Sequence, residues 1–184
     1  MAPVKLIRGS NTSLSELVPG LGTVLVGFGW NVVQSRGPAV ELVASAIMCG
    51  ASGRALSDDH LVFFNQLVSP DGAVQYVEND AEQIEVDLAA VPADVAKIVF
   101  VVYADPDLRK PGSFGAVRGA YVRVCDRGGT ELIRYDIEDG AGLEITAMVF
   151  SELYRHNGAW KLRAIGQGYS TGLQGVADDF GVQV

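Results

Sequence analysis

Groups that carry redox, metal or nucleophilic chemistry are scarce in this chain, with only two cysteines and two histidines among 184 residues. Cys49 and Cys125 lie far apart, each inside a strand-like apolar run, and His60 and His156 sit near neither of them in sequence. Without a C-x-x-C pair or neighbouring histidines, a structural zinc site has no support. The two thiols are expected to be small buried hydrophobes in a reducing compartment. Positive charge is also short: 14 Lys and Arg against 22 Asp and Glu give a formal charge of -8 and a pI near 4.7. Nucleic-acid binding needs clustered cations to displace phosphate counterions, so nucleic acid is not an expected partner and cations are. No run approaches the roughly 20 uninterrupted apolar residues of a membrane helix, and the opening Met-Ala-Pro-Val-Lys-Leu-Ile-Arg holds no apolar stretch of signal-peptide length. A cytoplasmic protein that is not integral to a membrane is the expectation.

Motifs for cofactors and hydrolysis are missing as well. Gly166-Gln167-Gly168 resembles a dinucleotide-binding turn, but the third glycine of that fingerprint would fall at Thr171. The two glycines are expected instead to allow a tight exit from a sheet. No P-loop lysine motif exists, and neither Ser45 nor Ser52 sits in a Gly-x-Ser-x-Gly elbow. The expectation is a protein without enzymatic activity.

What the chain does have is short alternating apolar runs punctuated by Gly, Pro, Asn and Asp, the pattern of antiparallel β structure rather than βαβ units. Thr23 to Trp30 places Val24, Val26, Phe28 and Trp30 on one face and Gly27 and Gly29 on the other. Val40 to Cys49, Leu61 to Phe64, Ala73 to Val77 and Ile84 to Leu88 read as further strands. Lys97 to Tyr103 is apolar on both faces, as a central strand should be, and Pro92 suits the first turn of a brief helix before it. Ala120 to Asp126 and Thr130 to Asp136 form a hairpin around Arg127-Gly128-Gly129, preceded by a long loop from Ala104 to Gly119. Thr146 to Tyr169 holds a second hairpin, turning at His156-Asn157-Gly158. Ser170 or Thr171 is placed to cap a last helix with Leu173, Val176, Ala177 and Phe180 on one face. Together these predict a mainly β fold: a two-sheet antiparallel β-sandwich with short helical turns and a C-terminal helix. No repeat or linker divides residues 1–184, which read as one domain.

The terminal hairpin TAMVFSELYRHNGAWKLRAIGQGY, with Ser69-Pro70-Asp71-Gly72 and Val86-Asp87-Leu88, resembles the TerD proteins. These are bacterial tellurite-resistance and stress-response β-sandwiches that bind calcium, and the likeness runs from Ser13 to Val184. The resemblance implies a non-enzymatic binding or scaffold module whose partners are other stress-response proteins at the inner membrane surface. It also shows departures. Where the family carries alternating aspartates, this chain has Ala39-Val40-Glu41-Leu42-Val43-Ala44-Ser45, and only Glu41 keeps a carboxylate. The family's second acidic loop is shortened to Glu78-Asn79-Asp80-Ala81-Glu82, Trp30-Asn31 stands where Trp-Asp is usual, and Asp105-Pro106-Asp107 stands where the family tends to have His-Asp-Ala-Asp. Calcium takes about six to eight oxygens, so these losses imply weak or absent binding. Glu41, Asn79, Asp80 and Glu82 are the candidate metal ligands, to be read either as a weakened cation site or as solvated loop acids. The alternative function is a calcium-dependent switch that keeps one working site. Asp71 and Asp87 are expected to make turns or caps.

Overall fold

The computed structural model describes residues 2–20, 22–32, 41–77, 82–105, 113–138 and 144–184. Twelve strands fill most of the described chain. In order they are β1 (Val4–Leu6), β2 (Asn11–Ser13), β3 (Thr23–Val32), β4 (Leu42–Cys49), β5 (Leu61–Val62), β6 (Val74–Val77), β7 (Gln83–Asp87), β8 (Lys97–Ala104), β9 (Val117–Cys125), β10 (Glu131–Asp136), β11 (Ala147–His156) and β12 (Ala159–Tyr169). Among the described residues two short α-helices accompany them, α1 (Leu14–Leu17) and α2 (Gly172–Phe180), with 3-10 turns at Asp58–His60 and Phe114–Ala116. The strands form two six-stranded sheets, ordered β1-β10-β9-β3-β7-β6 and β2-β12-β11-β8-β4-β5. Every pairing is antiparallel except β1 with β10, which runs parallel.

Alternation decides which side chains meet between the sheets. On β3, Val24, Val26 and Phe28 point inward; on β8, Ile98, Phe100 and Val102 do so; on β4, Leu42, Ala44, Ala46 and Met48. Phe28 lies 6.1 Å from Phe100 and 6.2 Å from Phe150, and Phe114 adds an edge contact to Phe150. Strand β8 lies between β11 and β4, and its outer residues Val99, Val101 and Tyr103 are covered by Leu173, Val176 and Ala177 of α2. This explains why its sequence lacks polar alternation: both of its faces are covered.

Several expected details differ. Residues 92–95 make a turn, closed by the Val95 N–H donating to the Pro92 carbonyl at 3.0 Å, because Ala96 is already paired to Cys49. Phe63 and Phe64 leave the strand in a tight turn in which Phe63 and Gln66 exchange both backbone hydrogen bonds. Thr171 stands at the N-cap of α2 but its side chain makes no capping bond. Gly166 and Gly168 lie inside β12 rather than at its exit, and their missing side chains make room for Tyr135 and Ile145. Gly27 and Gly29 are covered by Arg123 and Tyr121 of neighbouring β9. The turn at Asn157-Gly158 does adopt left-handed backbone, with φ of 49° and 76°. Strands β1 and β2 and helix α1 add to the elements that the sequence pattern predicts.

Candidate functional site

Glu41 precedes β4 on the second sheet. It is exposed, and its carbonyl accepts the Asp105 N–H at 2.8 Å. Glu82 precedes β7 on the first sheet, with its carbonyl accepting from Phe28 at 3.0 Å. Its carboxylate Oε2 accepts a hydrogen bond from the Tyr76 hydroxyl. Asn79 and Asp80 lie outside the described residues. Among the described residues no three His, Cys, Asp or Glu side chains come together in a way that could hold a metal ion. Calcium needs convergent carboxylate and carbonyl oxygens, and of the candidate ligands the described pair, Glu41 and Glu82, stand before strands of different sheets.

The other acids of interest make local structure. Asp71 Oδ1 accepts from the Ser69 hydroxyl and from the Ala73 N–H, each at 2.8 Å, which locks the turn before β6. Asp87 Oδ1 accepts from the Ala89 N–H at 3.2 Å. Both therefore do what the turn chemistry predicts.

Both thiols are free and buried. Burial pushes Cys49 up to about 12, with Lys97 pulling the other way and Glu152 reinforcing. Cys125 is raised by burial too, against the pull of Arg123. Nucleophilic and redox chemistry run through the thiolate, which such surroundings suppress.

One charged group escaped the sequence reading. Glu152 on β11 is only 6% exposed, yet it is held by Lys97 at 3.5 Å and Arg163 at 3.3 Å. Its partners are 55 and 11 residues away across two strand pairings, so spacing offers no signal. A surface concavity of about 610 Å3 lies between the Phe63-Phe64 turn and the start of α2, with Tyr103 and Leu173 among its lining residues.

The TerD domain model matches residues 1–180. The chain belongs to the TerD family. It is 43% identical to a tellurium resistance protein TerD from an Alcaligenes species, over 97% of each chain. It is 38% identical to general stress protein 16U of Bacillus subtilis, over 98% of each. The crystal structure of a TerD homologue from Streptomyces coelicolor superposes with a TM-score of 0.65 at 22% identity, covering 86% of this chain and 96% of that one. A crystal structure of a protein of unknown function gives 0.68 at the same identity, covering 90% and 99%. At that identity the two structures establish the fold alone. Among the described residues of this TerD-family chain, no helix is long and apolar enough to cross a membrane.

Proposed function

We propose that this TerD-family protein is a non-enzymatic binding module of a cytoplasmic stress or tellurium-resistance system, with its calcium sites weakened or lost. It presents a rigid sheet framework to other stress-response proteins, at the inner membrane surface. One observation carries the reading: Glu82 is bound by Tyr76, Asp71 and Asp87 hold turns, and no three described acids, Glu41 included, converge. The suppressed thiolates of Cys49 and Cys125 support the non-enzymatic part.

Calcium titration by calorimetry, with Glu41→Ala and Glu82→Ala alongside, tests it. A ligand at about a hundred times its Kd would add about 2.7 kcal/mol to folding, so millimolar calcium is expected to leave the melting temperature unchanged. Saturable binding abolished by Glu82→Ala would overturn the reading in favour of a calcium switch. Tellurite tolerance is expected to survive Cys49→Ser combined with Cys125→Ser, and its loss would point to thiol chemistry.

A further inference from the structure

The side of the sandwich where β1 and β10 of the first sheet meet β12 of the second contains a cleft of about 530 Å3. That size lies within the range of about 300–1,000 Å3 typical of small-molecule sites. The cleft is lined on its apolar side by Leu6, Ile137 and Met148, all buried. Gly166 has a φ of +67°, and the Tyr135 hydroxyl lies where its Cβ would be. At Gly168 the Ile145 side chain comes within 2.8 Å of that position. The glycines thus let the cleft walls close onto the β12 backbone, which no larger residue would permit.

The polar groups are few and unspent. Tyr135 is 4% exposed, and its hydroxyl has no hydrogen-bond partner among the described residues. Burial raises its pKa, with Arg8 opposing and Glu138 reinforcing, so both charges lie near the ring. Arg8 is anchored by its Nε, which donates to the Ile165 carbonyl at 3.2 Å. Arg8 has no carboxylate partner among the described residues, while Lys5 lies on the opposite face of β1, in register with Arg134. Of the two acids in the lining, Asp136 is already paired with Arg134 at 3.0 Å, and Glu138 is exposed. In this cleft Arg8 is the cation on the side of Tyr135, and the solvated Glu138 stands at the rim, so an anion would be held by local contacts rather than by a net positive field.

We propose that this cleft binds a small amphipathic carboxylate, its apolar body on Leu6, Ile137 and Met148 and its anionic head between Arg8 and the Tyr135 hydroxyl. An inorganic oxyanion would leave the apolar lining unused, and a neutral apolar molecule would leave the tyrosine donor and Arg8 without a partner. The inference stands apart from the calcium and adaptor reading, and neither falls with the other.

The test is titration of the full chain with decanoate below its micelle concentration, followed by calorimetry and by backbone amide shifts. Decan-1-ol and acetate serve as controls for the head and the tail. One saturable decanoate site is expected, with the shifts centred on Gly166 and Gly168. Both controls should bind about tenfold or more weakly, and Arg8→Gln should lose about tenfold in affinity. Tyr135→Phe, which removes only the hydroxyl, should lose several-fold. Equal affinity for decan-1-ol and decanoate would overturn the proposal, as would undiminished binding by Arg8→Gln, no saturation, or shifts centred on Phe64 and Leu173. Should Tyr135→Phe fail to fold, the decanoate-to-decanol ratio in the unaltered protein and the Arg8→Gln result decide.

Discussion

Ser151 sits at the bulge where β11 shifts register against both β12 and β8, and the extra residue turns its hydroxyl toward the interior. The residue is fully buried and its Oγ has no hydrogen-bond partner. A buried hydroxyl without a partner carries a desolvation cost that alanine avoids, so Ser151→Ala is expected to stabilise by about 0.5–1 kcal/mol. A urea midpoint that falls would contradict this. Arg155 does the opposite. Its Nε donates to Val95 at 2.9 Å and its Nη2 to Val91 and Pro92 at 2.9 and 3.1 Å, while the guanidinium stacks 4.5 Å above Trp160. One side chain thereby ties the segment before β8 to the terminal hairpin. Lysine cannot fork in this way, and Arg155→Lys is expected to cost about 1–2 kcal/mol, measured by urea unfolding. An unchanged midpoint would show the carbonyls to be equally well served by water. Tyr154, Arg155, Trp160 and Arg163 look in sequence like a single aromatic and basic patch. Alternation splits them: Trp160 is buried in the core with Arg155 stacked on it, and Arg163 stacks on Tyr154.

At the scale of elements, α2 is the piece whose docking is most open to test. Its apolar face covers Val99 and Val101, and its last turn ends at Gly181 with a φ of 70°, where the Val182 N–H donates to the Ala177 carbonyl. Tyr169, just before the helix, donates its hydroxyl to Asp179 at 2.8 Å. Burial first, then this bond, push Tyr169 up to about 12, and Cys49, in the same apolar cluster as α2, is also raised to about 12. Each group is neutral when protonated and holds its proton more tightly in the folded chain. Their contribution is therefore complete below the unfolded values of 9.0 for Cys49 and 10.0 for Tyr169, and is lost as pH climbs toward about 12. The denaturation midpoint is expected to fall through that window, and Tyr169→Phe with Cys49→Ala should flatten the decline. An equally steep fall in the double variant would place the alkaline weakness elsewhere. The helix itself was readable from Leu173, Val176 and Ala177, since an apolar stripe at those offsets needs no partner to be recognised. Strands β1 and β2 were not, because each has only three residues and its pairing partner lies near the other end of the sequence.

Across the whole molecule, the chain's beginning and end are interleaved. Strand β1 pairs with β10, β2 pairs with β12, and the Gly9 N–H donates to the Ala164 carbonyl at 2.8 Å. Both sheets therefore need contacts of long sequence separation before either edge is complete. Loop closure must be met before such contacts stabilise anything, which predicts refolding on the order of milliseconds to seconds by stopped-flow fluorescence of the tryptophans. Microsecond refolding would mean that the local hairpins suffice as a nucleus.

Local chemistry determined what could be read along the line of residues: the strand runs, the Asn157-Gly158 turn, the last helix, the acidic deficit of positions 39–45 and the family likeness. Each depends on neighbours a few residues apart, whose side-chain direction is set by a period of two or of 3.6. Tertiary structure alone decided that Glu82 is bound by Tyr76, that Glu152 is clamped by Lys97 and Arg163, and that Tyr135 and Arg8 share a cleft backed by Gly166. Apart from the short Tyr76–Glu82 link, those groups come together through sheet register and the meeting of two sheets, which no one-dimensional spacing encodes.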